Sequence, residues 1–301
     1  MKRLRSFDAV VLIYIGIISA IVLAARPEGA WIYLSYHAIV IVMIALVIHA
    51  HARFGGPLWT LLRYWYVVPV VLAAFRELHY LIPEVRPFND WRFDRALAAV
   101  DARWFGDVNG FFLGAFPPVV IDVLHLCYWF YFFSMIITGA AIQRRGDYGR
   151  LSEYATIVLT ALFLSYLGYF AVPAVGPHHF LHPRPAILDG WILGRPLHAA
   201  LMAAEWEMPD AFPSGHALLS MVVMALAWRY HRPIFRWMAV PASGCLLATL
   251  ALRYHYVVDV VASAAILPVA VWMGQSFART WEGVLSKSRR DFGNSPTSSP
   301  P

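Results

Sequence analysis

Charge is scarce in this chain: Asp, Glu, Lys and Arg make up 14% of 301 residues, against 60% hydrophobic residues. With a mean hydropathy of +0.58, that balance excludes an ordinary soluble domain and puts the chain in a bilayer. Cysteine is nearly absent. Cys127 and Cys245 both fall inside apolar stretches and read as small packing residues, which excludes a disulfide framework. There is no internal repeat, no glycine-rich phosphate loop and no cluster with zinc-ligand spacing, so no metal and no cofactor is expected. Arginine heavily outnumbers lysine, a bias of GC-rich bacterial genomes.

The residues that are present form long apolar runs. Stretches of roughly 20 residues with few charges give about eight candidate spans, at 9–25, 31–50, 60–81, 118–142, 154–173, 214–230, 234–252 and 256–277. The first is long for a signal-peptide core and ends at Ala25-Arg26-Pro27, without a small-residue cleavage site, so it is expected to be retained. In or beside the third lie Arg63, Arg76, Glu77 and His79; the last three either pair with one another or reach towards the site. With a cytoplasmic amino terminus, most of the 24 Lys and Arg residues fall in inner segments, as the positive-inside rule requires. Both termini are then cytoplasmic, in a bacterial inner membrane. The same bias accounts for most of the net +6 charge, so no nucleic-acid partner is implied. A tail at 279–301, rich in Ser and Pro from Ser286, reads as disordered.

Two outer loops are too long to be simple connections. The first, at 83–117, carries Trp91, Phe93, Trp104, Phe105, Phe111 and Phe112 among charges, the pattern of helices lying in the headgroup layer. The second, at 174–212, holds Gly176-Pro177-His178-His179, His182-Pro183-Arg184-Pro185, Trp191 and Trp206. It leads directly into Pro213-Ser214-Gly215-His216 at the outer start of the sixth span. Across the membrane and back comes His255-Tyr256-Val257-Val258-Asp259, again at the outer side.

Residues four apart share a helical face, so Asp259 can accept a hydrogen bond from the His255 ring. That contact fixes the tautomer and leaves the other ring nitrogen free to attack phosphorus or carbon, while His216 can hand a proton to the departing oxygen, the arrangement of a two-histidine phosphoryl-transfer site. Ser214 and Gly215 stand at a helix start, where backbone donors and the dipole favour an anion; Ser214 serves equally as a helix cap. Arg253, Arg184, His178 and His179 are read as phosphate or headgroup contacts, with interfacial anchoring and loop structure as the competing reading.

At these residues the chain resembles the type 2 phosphatidic acid phosphatase (PAP2) superfamily, whose second and third signatures look like the Pro-Ser-Gly-His and His-x-x-x-Asp elements. Within it, the chain is similar to the inositol phosphorylceramide synthase-like branch through Asp101-x-x-Trp104-Phe105-Gly106, the Gly176-Pro177 corner and Thr249, six residues before His255. The likeness covers about 94–271. It implies an all-α polytopic membrane bundle, with a six-helix catalytic core at 59–278 preceded by two extra helices at 1–58. It also implies a phosphohistidine on His255, oriented by Asp259, with His216 protonating the leaving alcohol and no metal involved.

The chain departs from the phosphatase pattern at two cations. Pro177 stands seven residues before Arg184-Pro185, where the phosphatases have lysine, and Thr249 stands where they have arginine. A monoester dianion needs more fixed positive charge than a diester, so the expected reaction is transfer of a phospho-headgroup from a phospholipid to a hydroxylated acceptor lipid. A phosphatase of phosphatidate or polyprenyl phosphates is the alternative on the same scaffold. A non-catalytic transporter or lipid-binding protein is the third reading. Transporters place ionisable groups near the midplane on broken helices, and the central halves of these spans hold few.

Overall fold

The computed structural model describes residues 4–86, 91–181, 184–205 and 209–293. Among them the structure is 83% helix with no strand. Seven helical segments are long and apolar enough to cross a membrane. These are α1 (Ser6–Ala25), α2 (Ala30–Phe54), the pair α3 (Gly56–Trp65) and α4 (Val67–Val85), α7 (Pro118–Gln143), α8 (Tyr148–Ala171), α12 (Arg232–Ala251) and α13 (Val257–Gly293). Between them stand the short elements of the two long loops. The first loop forms α5 (Arg92–Trp104) and α6 (Val108–Phe112); the second forms α9 (Pro177–Phe180), a 3-10 turn at Ala186–Asp189 and α10 (Gly194–Glu205).

The sixth expected span, α11 (Gly215–Tyr230), is the exception. Its 16 residues rise only about 24 Å, short of a hydrocarbon core of about 30 Å. The reason is positional. His216, near its start, lies against Tyr128, Tyr131 and Phe132, far down α7, so α11 begins well inside the bundle. It packs against α7, α8, α12 and α13, and most of its side chains are buried. The first turns of α7, with the 3-10 turn and α10 packed on them and α9 reaching Tyr254, therefore surround the start of α11, and the region between them is termed the vestibule.

Gly29 and Gly55 punctuate the first three spans, each at positive φ (72° and 62°) that a residue with a Cβ adopts only under strain. Two buried polar knots then tie these spans together. Asp8 accepts from both terminal nitrogens of Arg63 and from the Tyr66 hydroxyl; Arg63 and Asp8 are 1% and 0% exposed. Higher in the bundle, Ser19 Oγ lies 2.7 Å from His37 Nδ1, and His37 Nε2 lies 2.7 Å from Glu77 Oε1. Glu77 is thus paired with α2, and Arg76 instead donates to Tyr80 on its own helix. Arg76 and Glu77 of the expected cluster thus have different hydrogen-bond partners.

At the other end of the chain α13 runs on to Gly293, where a disordered tail was expected from residue 279. Trp281 Nε1 donates to the Leu4 carbonyl at 3.1 Å, which carries the helix past the last apolar stretch by docking it on the start of α1. Residues 294–301, His182, Pro183 and Trp206 lie outside the described residues.

Removing Asp8 leaves the Arg63 guanidinium buried without its carboxylate, so Asp8→Ala should destabilise the protein by about 3–5 kcal/mol. Thermal unfolding of the detergent-solubilised protein measures this; a melting temperature equal to that of the wild type would show that the knot is not holding α1 to α3.

Candidate active site

The second histidine element sits on a tight turn between α12 and α13. Arg253 adopts φ +61° there, a left-handed conformation that costs a non-glycine residue about 1 kcal/mol. The turn is fixed by the His255 N–H, which donates to the Thr249 carbonyl at 2.9 Å. The His255 ring is fixed through Nδ1, which lies 3.0 Å from the Ala211 carbonyl oxygen and 3.4 Å from Asp259 Oδ2. A carbonyl can only accept, so Nδ1 carries the proton and Nε2 keeps its lone pair. The Asp259 carboxylate is 0% exposed and also accepts from the Tyr256 N–H at 2.9 Å. It thus caps the helix it belongs to while facing the histidine.

The first histidine element is the start of α11. Ser214 is its N-cap, with Oγ accepting from the Ala217 N–H at 3.2 Å. Gly215 is required by space: a Cβ there would meet the Tyr169 hydroxyl at 2.5 Å. The His216 ring stacks on Tyr128 at 4.1 Å and lies 4.2 Å from Tyr131, with Nδ1 3.1 Å from the Tyr128 hydroxyl. The two elements are joined directly, since Ser263 Oγ donates to the Ser214 carbonyl and the Ser214 N–H reaches the Asp259 carbonyl. The rings of His216 and His255 stand 6.1 Å apart, roughly the room that one phosphoryl group needs between a nucleophile and an acid.

Two aspartates of α5 hold this arrangement from outside. Asp101 accepts from the Val257 and Val258 N–H groups at 2.7 and 2.9 Å, two of the donors that a helix start leaves unpaired. Asp94 accepts from the Val175 and Gly176 N–H groups and from the Tyr256 hydroxyl. Burial pushes both carboxyls above the usual range, and these donors pull the other way. Gly176 itself packs so closely under the Tyr254 carbonyl that a Cβ would stand 2.5 Å away, which explains the Gly-Pro corner.

Above the histidine pair the vestibule is lined by imidazoles and a phenol. The Tyr254 hydroxyl lies 2.9 Å from His198 Nδ1 and 3.5 Å from His125 Nδ1, and its ring packs 4.4 Å from Tyr128. The His178 ring lies 5.4 Å from Tyr254 and 4.1 Å from His179. Burial, and then the neighbouring histidines, hold His178 well below its ordinary range; burial and Arg184 lower His198 to about 4. Both are therefore neutral at pH 7. The Asp210 carboxyl is pushed up to about 6 by burial, with His255 pulling it back.

The structure brings His216, His255 and Asp259 together and sets Ser214, Gly215, Arg253 and His178 around them. Arg253 Nε is buried and makes no hydrogen bond among the described residues. Thr249 and Arg184 are also bound within the protein, although the buried Arg184 Nε makes no hydrogen bond among the described residues. Thr249 Oγ1 donates to the Leu246 carbonyl, so only its main chain serves the site. Arg184 is bound to the Asp189 carboxylate and the Leu188 carbonyl, because Asp189 lies one short turn away. Sequence reasoning missed Tyr128, His125 and Asp122, whose spacing of three down α7 forms a polar stripe in an apolar span. Asp122 pins the second loop by accepting from the four successive N–H groups of residues 191–194. Among the described residues no group of three or more His, Cys, Asp or Glu is arranged to hold a metal ion.

Two buried, oriented histidines 6.1 Å apart and a carboxylate beside one of them stand together at one end of the helical bundle. A model of the PAP2 superfamily matches residues 95–273, and the chain belongs to that superfamily. No curated protein and no solved structure matches the chain. The family makes this a phosphatase or phosphotransferase.

Asp101→Ala should leave two N–H groups of α13 unpaired and cost roughly 2 kcal/mol of stability, lowering kcat more than it raises KM as the His255 turn loosens. Steady-state kinetics beside thermal unfolding checks this, and a variant with full stability and full kcat would remove Asp101 from the positioning role. For His198 the folded value lies below the ordinary 6.5, so the unfolded chain binds more protons between pH 6.5 and 4. Stability should fall as pH drops through that window, and less steeply in His198→Gln; parallel pH–melting curves would contradict the assignment.

Proposed function

We propose that the protein is an integral-membrane lipid phosphotransferase that moves a phospho-headgroup from a phospholipid to a hydroxylated acceptor lipid, in the manner of the inositol phosphorylceramide synthase-like branch. The observation that carries the chemistry is the tautomer of His255: its Nδ1 is committed to Ala211 and Asp259, so Nε2 is the nucleophile. Nε2 attacks phosphorus, the bond from phosphorus to the leaving alcohol breaks, and His216, which must enter the step as the imidazolium, gives that oxygen its extra proton and becomes neutral. The acceptor hydroxyl then returns a proton to His216 and attacks the phosphohistidine, which releases neutral His255. Water in place of the acceptor gives hydrolysis by the same two steps.

The charge of the site favours a diester over a monoester. Arg184 is engaged by Asp189, the position of the phosphatase arginine is a threonine turned to its own helix, and the nearby His178 and His198 are neutral. Arg253 is a fixed cation two residues from His255 whose buried Nε makes no hydrogen bond among the described residues. It supports the second reading, a phosphatase of phosphatidate or polyprenyl phosphates. The basic bias of the inner segments supports a site that faces the exterior, with both termini on the opposite side.

The test is purified protein in detergent with labelled phosphatidate and labelled phosphatidylinositol, each with and without a hydroxylated lipid acceptor. Headgroup transfer that requires the acceptor and disappears in His255→Ala is expected. Phosphate release without acceptor would replace the transferase by the phosphatase. Turnover that survives His255→Ala would remove the phosphohistidine mechanism altogether.

A further inference from the structure

The helices that precede the matched family region supply none of the histidine-site residues, yet they form one wall of a cavity that ends at Phe132, a neighbour of His216. The cavity has a volume of about 260 Å³ and lies between α3–α4, α7 and α8. Trp65, Val68 and Leu72 face Phe132, Gly139 and Ala155 across it. Its lining on α8 runs from Leu151 to Leu162, about 16 Å along the bundle. Phe132 belongs to both places: it lines the cavity and stands edge-on to the His216 ring at 5.7 Å. From that level the cavity descends, away from the site end, to Gly139. A Cβ at Gly139 would meet Trp65 at 3.2 Å, and Trp65 is itself held by a 2.6 Å hydrogen bond to Gln143. The side towards the bilayer is open, with Leu72 and Phe133 60% and 55% exposed.

We infer that this cavity is the seat of one hydrocarbon chain of the lipid substrate, walled by helices α3 and α4 outside the matched family region. This rests on the reading of the protein as an enzyme of lipid phosphoesters. A lipid whose phosphate lies between His216 and His255 must direct its chains from there into the bundle or the bilayer. The upper end of the cavity is walled by Phe132, the ring next to His216, and the cavity is almost wholly apolar and extends in the direction the chains must take. Burial of each methylene favours a longer chain until the Gly139 floor is reached, so α3 and α4 set chain-length preference while the family-matched segment supplies the chemistry.

The experiment uses a phosphatidate carrying a diazirine near the methyl end of one chain, bound in vesicles to full-length protein bearing His255→Ala and photolysed. Peptide mapping should place the label on 65–72 and 151–159. Ala155→Trp and the milder Val68→Phe should each reduce it about fivefold or more, with elution profiles confirming that both variants fold. In the active protein the same variants should lower kcat/KM for chains of about sixteen carbons roughly tenfold and leave chains of about eight nearly unchanged. Label spread over the outward faces of α2 and α12, or unmoved by either substitution, overturns the assignment. Because labelling needs no turnover, a wild-type protein inactive on every lipid phosphoester would refute the functional reading while the labelling pattern still decides the cavity.

Discussion

The ring of His255 is held at a single nitrogen, and the rest of the site follows from that contact. Ala211, Asp259 and the Thr249 carbonyl come from three separate segments, and each must be in place for Nδ1 to point away from the phosphate position. A buried, oriented imidazole of this kind is expensive to assemble, because each polar partner loses water and must regain a hydrogen bond inside. The fold meets that cost with acids. Asp94, Asp101 and Asp259 together satisfy the first N–H groups of α13, the Gly176 corner and the Tyr256 hydroxyl. The strained turn at Arg253 persists because these bonds over-determine it.

The vestibule follows the same logic with a different sign. Asp122 gathers four N–H groups of the second loop and Asp189 binds Arg184 and Arg195. Apart from Arg253 and Asp210, the groups above the histidine pair include the neutral imidazoles of His178 and His198 and the Tyr254 phenol, each able to donate and accept. Such groups suit hydroxyls better than a dianion. The reading of a diester donor and an alcohol acceptor therefore rests on the chemistry of the walls as much as on the two missing cations.

Much of this was legible in the sequence, and the division has a physical cause. Apolar runs and the charge bias reveal spans because bilayer thickness fixes their length, and the His255 to Asp259 spacing reveals a pair because one helix turn brings them together. The α5 clamp was hidden: Asp101 meets Val257 across 156 positions, and Asp94 meets Tyr256 across 162. In sequence both look like ordinary polar residues of an amphipathic helix at an interface. The Arg184–Asp189 pair was hidden for a different reason: partners five positions apart in a proline-rich loop follow no helical spacing that sequence would reveal. The short α11 was read as a full span because a buried central helix and a lipid-facing one are equally apolar.

The added helices can now be connected to the chemistry through buried charge. A wall built on α3 and α4 is useful only if it stays at a fixed distance from α7, and apolar packing in lipid supplies no hydrophobic force to keep it there. The polar knots supply what packing does not. Asp8 with Arg63 fixes the lower end of the wall to α1, Ser6 with Thr156 and Arg5 with Ser152 fix α1 to α8, and Glu77 with His37 fixes the upper end to α2. Buried ion pairs contribute little net stability but penalise any arrangement that separates them. They hold α1, α2 and the α3–α4 wall in one register relative to α8. The residues farthest in sequence from the histidines thereby hold the cavity that ends at Phe132 to one width.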